Sequence, residues 1–189
     1  MSAEPHLNNK INSVIELFTS GHITEALETV KNLTRQHPNE SLLHNISGVC
    51  FRATGQLEMA VESFKKALVI KNDFADAHYN LGLTFQDLNQ PDTAIMSYKE
   101  TLTIQANYAK AHNNLGIIYK ELGQIDDSIE SFEQVLSLEP DNAEAHHNLG
   151  NALNELGQFS DAIKFYEQAL SFQDFPEAHN NLGAAYRSL

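Results

Sequence analysis

The nine glycines of this 189-residue chain fall on two lanes, and that regularity constrains the fold more than any other feature. Gly48, Gly82, Gly116, Gly150 and Gly183 are spaced by 34, 34, 34 and 33 residues. Gly21, Gly55, Gly123 and Gly157 form the second lane, with Asn89 filling its one gap. Side-chain size keeps the same period: Ala26, Ala60, Ala94, Ser128 and Ala162 are small, whereas Val30, Phe64, Tyr98, Phe132 and Tyr166 are bulky. A further lane runs Leu17, Phe51, Phe85, Tyr119, Leu153 and Tyr186. Within one period the apolar residues recur at three and four, as in Leu149, Leu153, Ile163, Tyr166 and Leu170, which is helical rather than strand spacing.

Each period therefore predicts two helices. The second glycine lane lies between them, where the left-handed conformation that ends a helix is cheap for glycine and tolerable for asparagine. Pro91 stands where a second helix begins, and Pro38 and Pro140 close the second helices of their units. One such helix pair cannot bury its apolar face alone, so consecutive pairs are expected to stack.

The succession Leu149, Gly150, Gly157, Ala162, Tyr166 and Ala169, at a period of 34, resembles the tetratricopeptide repeat (TPR) family. The resemblance covers nearly the whole chain. After a lead at residues 1–6 it gives one array at 7–189, with repeats at 7–40, 41–74, 75–108, 109–142 and 143–175 and a partial sixth at 176–189. The first repeat departs most, with Ser13 and Val14 where Leu-Gly is expected. The resemblance implies an all-α fold of tandem helix-turn-helix repeats, stacked as a right-handed superhelix whose first helices line a concave groove. Because the chain stops halfway through a repeat, it is read as the N-terminal part of a longer protein.

If that layout holds, positions 2, 5, 6, 9, 12 and 13 of each repeat face the groove. Its N-terminal third then carries an apolar interaction patch of Ile11, Ile15, Phe18, Leu42, Ile46 and Val49. From the third repeat onward Asn80, Asn114, Asn148 and Asn181 hold the sixth position, flanked by Tyr79, Asn113, His147 and Asn180. A primary amide both donates and accepts, so a row of them suits the main chain of an extended peptide whatever its side chains. The row resembles the asparagine ladder of O-linked N-acetylglucosamine transferases. Lys110 and Lys120 complete the expected peptide-binding groove. Groove positions otherwise carry Asn, Ile and acidic residues, which speaks against a basic clamp for acidic chaperone tails.

The exclusions follow from composition. Twelve basic against 25 acidic residues give a net charge of −13, which repels phosphate backbones, and there is no basic patch, so nucleic acid is not an expected partner. No apolar run approaches the ~20 residues that cross a bilayer, and the N-terminus lacks the pattern of a signal peptide. A single cysteine makes no intramolecular disulfide or thiolate cluster, and Cys50, between Val49 and Phe51, reads as a buried hydrophobe. A cytoplasmic setting is expected. His44, His78, His112, His146 and His179 share the fourth position, but neighbouring repeats lie too far apart to share one metal, so a packing role is expected there. No catalytic residue, cofactor or metal site is expected. The chain is read as a non-enzymatic scaffold for protein–protein interaction that binds an extended peptide or partner protein. Two alternatives stand beside it: the recruiting arm of a modular bacterial glycosyltransferase, sulfotransferase or oxygenase, and an array that self-associates into a homo-oligomer through its terminal repeats.

Overall fold

Helix pairs follow the glycine punctuation. The computed structural model describes residues 4–189, with side chains from residue 6 onward. A first unit, ending at Ile104, contains α1 (Glu4–Thr19), α2 (Ile23–Gln36), α3 (Ser41–Ala53), α4 (Leu57–Ile70), α5 (Ala75–Asp87) and α6 (Pro91–Ile104). The second, Gln105–Leu189, contains α7 (Ala109–Glu121), α8 (Ile125–Leu138), α9 (Ala143–Glu155), α10 (Phe159–Phe172) and α11 (Pro176–Ser188). Among the described residues every regular element is a helix. Of the lead expected at residues 1–6, residues 1–3 lie outside the described residues, and α1 already begins at Glu4.

In the first unit α1 packs on α2, α3 on α4 and α5 on α6; in the second α7 packs on α8 and α9 on α10. Within each unit one pair meets the next through its even-numbered helix, α2 on α3, α4 on α5, α8 on α9 and α10 on α11. Odd-numbered helices also touch one another, α3 with α5, α7 with α9 and α9 with α11. Odd helices thus form one layer of each unit and even helices the other.

The turn inside each pair is the same object five times. Gly21, Gly55, Gly123 and Gly157 have φ of 85°, 74°, 73° and 73°, and Asn89 matches them at 55°. The next amide along then reaches the carbonyl five residues back: His22 to Leu17, Gln56 to Phe51, Gln90 to Phe85, Gln124 to Tyr119 and Gln158 to Leu153, at 2.8 to 3.0 Å. That bond satisfies a carbonyl which the helix end leaves without a partner.

The other glycine lane holds the layers together. Phe64, Tyr98, Phe132 and Tyr166 are fully buried, and their rings lie against the backbone at Gly48, Gly82, Gly116 and Gly150. Burying each ring is worth roughly 2–3 kcal/mol, and only a residue without a Cβ admits so close an approach.

Histidine at the fourth position fastens the odd helices from α3 onward to the loop before them. In His44, His78, His112 and His146 the ring Nε2–H donates to the carbonyl six residues upstream, on Pro38, Asn72, Ala106 and Pro140, at 2.8, 3.2, 3.0 and 2.9 Å. One residue is missing before α11, and there His179 Nε2 donates to the Asp174 carboxylate at 2.6 Å. Among the described residues no three His, Cys, Asp or Glu side chains converge as a metal ion would need. Cys50 is fully buried, and burial pushes its thiol up to about 11, far from thiolate chemistry.

Candidate functional site

The polar residues expected in the groove do lie on odd helices, but several of them are already committed to neighbouring repeats. In the first unit Asn80 on α5 donates its amide to Asn45 Oδ1 on α3 at 3.1 Å, and the Tyr79 ring lies 5.7 Å from that of Tyr98. In the second unit Asn181 on α11 donates to Asn151 Oδ1 at 2.8 Å and approaches His147 Nε2 at 3.0 Å, both on α9. Tyr166 fixes Asn151 from below, its hydroxyl donating to the same Oδ1 at 2.8 Å. Burial, then the Glu155 carboxylate, pushes that phenol up to about 12, so it remains a donor. Asn113 and Asn114 on α7 are half-buried. Asn148 on α9 is half-buried with no hydrogen-bond partner among the described residues.

Two of the groove cations are engaged as well. Arg52 Nε reaches Asp87 at 2.6 Å in the first unit, and Lys120 reaches Glu155 at 3.9 Å in the second. Both join position 12 of one repeat to position 13 of the next, so Lys120 is a stacking contact before it is a ligand contact. Lys110 stands exposed at the start of α7.

The apolar patch needs one correction. Ile11 is 4% exposed and belongs to the core, because it shares the buried side of α1 with Val14, one turn on. Position 5 therefore lies at the packing seam, and Asn45 at the same position of the next repeat is buried too. Ile15 and Leu42 are exposed, while Phe18, Ile46 and Val49 are half-buried.

The structure adds a feature the sequence marks only as a flank of the asparagine row. A notch of about 250 Å³ in the second unit is lined by Glu144 and His147 of α9 and by Gln173 and Phe175 of the loop before α11. The His147 ring stands edge-on to Phe175 at 5.1 Å and tilted to Tyr166 at 5.8 Å. With Nε2 accepting from the Asn181 amide, His147 is neutral and carries its proton on Nδ1. Burial, then the Lys120 cation, holds its pKa below the ordinary histidine range, against the opposing pull of Glu177 and Glu144.

That shift fixes a sign. A histidine whose pKa is lower folded than unfolded stabilises fully above its unfolded value of about 6.5, and the stability is lost as pH falls below it. Thermal melts of the chain should therefore soften between about pH 7.5 and about pH 5.5, and His147→Gln should remove part of that softening. An identical pH dependence in the variant would refute the assignment.

Paired helices that recur every 34 residues, close each turn alike and share their apolar faces with their neighbours define a helical-repeat protein. The sequence matches known families accordingly: residues 107–174 and 75–108 match the tetratricopeptide repeat and residues 48–89 the TPR repeat, together more than half the chain. The chain belongs to the tetratricopeptide repeat proteins, a class that binds other proteins. No curated protein matches it. Among solved structures it is similar to MamA, at 26% identity and a TM-score of 0.78 over 84% of this chain and 92% of that one. YrrB, described as a TPR protein with an unusual peptide-binding site, shares 20% identity and a TM-score of 0.73 over 94% and 90%. PilF of Pseudomonas aeruginosa shares 15% identity and a TM-score of 0.85 over 98% and 90%. These last two show the fold. No described helix is long and apolar enough to cross a membrane.

Proposed function

We propose that the chain is a non-catalytic scaffold whose odd-helix face holds an extended peptide, or an extended segment of a partner protein, by its main chain. The observation that carries this reading is Asn148: a half-buried amide on the odd-helix face whose donors and acceptor no other described residue occupies. Burial raises the worth of a hydrogen bond to it, because a group already withdrawn from water gains more from a partner than an exposed one. The asparagine ladder of O-linked N-acetylglucosamine transferases supports the same use, as does the peptide site for which YrrB is described. Asn80 and Asn181 contribute differently: each has given an amide hydrogen to the preceding repeat, which leaves its carbonyl oxygen for a peptide N–H. Cys50, single and buried, suits a cytoplasmic setting.

The test is binding of the purified chain to a random peptide array, with an Asn114→Ala/Asn148→Ala variant alongside. Hits that weaken about five-fold or more in the variant, with little preference among peptide side chains, are expected from removing these half-buried amides from the peptide's main chain. Hits untouched by the substitutions would move the site to the apolar residues Ile15, Phe18, Leu42, Ile46 and Val49. No hits at all would favour a self-associating array.

A further inference from the structure

The notch beside Asn148 has a chemistry of its own, and the inference drawn from it rests on the peptide-binding reading above. One carboxylate lines it, Glu144 in the first turn of α9, and a second, Glu177 in the first turn of α11, acts on the charge of the His147 ring that forms its wall. Both are exposed, and neither is in an ion pair among the described residues, whereas the nearest groove cation, Lys120, is spent on Glu155. The walls are aromatic: Phe175 and the neutral His147 ring, backed by Tyr166. Gln173 offers an amide on the open side. A volume of about 250 Å³ is too small for a folded partner and large enough for one long side chain.

We propose that this notch is a subsite for a cationic side chain, lysine or arginine, of the peptide lying across α9 and α11. An aliphatic stem or guanidinium plane lies against an aromatic wall while the charge meets Glu144 within the negative field that Glu177 adds, an arrangement in which ring and carboxylates both favour a cation. Anionic and neutral side chains find no such partner, so the subsite would give a main-chain-reading groove its one point of side-chain preference. His147 makes the preference conditional. The titratable groups around it are Lys120 on α7, Glu144 on its own helix, Tyr166 on α10 and Glu177 on α11. Its protonation would place a positive charge in the wall and repel the guest.

The experiment uses the full chain and a probe that needs no extended groove. N-acetyl-arginine-N-methylamide and its glutamine counterpart are titrated at millimolar concentration while the ring resonances of His147 and Phe175 are followed by NMR. The arginine compound should shift both rings saturably and the glutamine compound should not. Glu144→Gln/Glu177→Gln should weaken the arginine response about five-fold or more, and lowering the pH from about 7.5 to about 5.5 should weaken it in the same direction. Equal shifts from both compounds, or an arginine response indifferent to the double substitution, would overturn the proposal. Because a single amino-acid amide cannot engage the asparagine row, loss of array binding in Asn114→Ala/Asn148→Ala reports on the groove alone, and the two ideas fail separately.

Discussion

Alanine at Gly116 is expected to destabilise the second unit by about 1–3 kcal/mol, although alanine is the better helix former by about 1 kcal/mol. The reason is one distance. A Cβ at Gly116 would lie 2.6 Å from Cε1 of Phe132, a contact real structures do not show, and the Phe132 ring is fully buried and cannot withdraw. Gly48 against Phe64, Gly82 against Tyr98 and Gly150 against Tyr166 repeat the geometry at 2.5, 2.6 and 2.7 Å, so overpacking outweighs propensity at four sites. Gly183 supplies the internal control. It occupies the same lane, but the nearest atom to its Cβ would be an Arg187 nitrogen at 3.8 Å, an ordinary contact with a flexible side chain. Gly183→Ala should therefore be neutral or stabilise by up to about 1 kcal/mol. Since Phe132 is the obstacle, Phe132→Leu should cost less in the Gly116→Ala background than alone. Hydrogen exchange across α7 and α8 is the suitable readout, because repeat arrays unfold locally and one global midpoint blurs such differences. Gly116→Ala as stable as Gly183→Ala would defeat the explanation.

Why the glycine lanes were legible in the sequence, and much of the site was not, comes down to register. Each lane recurs at 34 residues because one position does one structural job: Gly55 and Asn89 close a turn, Gly116 admits a ring, His112 holds a loop. Contacts between odd helices do not keep that register. Asn45 meets Asn80, and Arg52 meets Asp87, across 35 residues, one repeat and one step, because stacked helices are offset. Lys120 and Glu155 have the same offset. His147 meets Asn181 across 34 only because a residue is missing before α11. A search at period alone therefore aligns Asn80 with Asn181 and never sees the partners that occupy them. An offset of one repeat plus one residue is the signal that would have found them. Asn151 stands one helical turn beyond His147 and was within reach of the 3.6-residue period, and Phe175 follows Phe74 and Tyr108 at the residue before an odd helix, but neither spacing says that the Phe175 ring meets the imidazole edge-on.

The histidine lane decides between two accounts of what a recurring hydrogen bond is worth. His146 is 6% exposed, stacked on Phe165 at 5.9 Å and Phe172 at 5.5 Å, with Nε2–H on the Pro140 carbonyl. Its Nδ1 is buried without a hydrogen-bond partner among the described residues. Truncation in His146→Ala leaves a cavity between two aromatic rings and should cost about 2–4 kcal/mol. The hydrogen bond is the smaller part of that loss. Pro140 is exposed, so water can take up its carbonyl once the imidazole is gone. His146→Leu refills the space and removes the unpartnered Nδ1, a buried polar atom whose desolvation costs about 1–3 kcal/mol. The leucine variant should accordingly recover most of the alanine loss. If instead the loop bond dominates, leucine and alanine will be equally destabilised, and exchange protection around Pro140 will fall in both. His179 separates the terms from the other side. Its ring is 60% exposed and its partner Asp174 85% exposed, so His179→Ala should cost no more than about 1 kcal/mol although its hydrogen bond, at 2.6 Å, is the shorter one. A lane of identical residues making similar bonds would then differ in stability mainly by what surrounds each ring, as expected where packing, and not the bond that recurs, holds the repeats together.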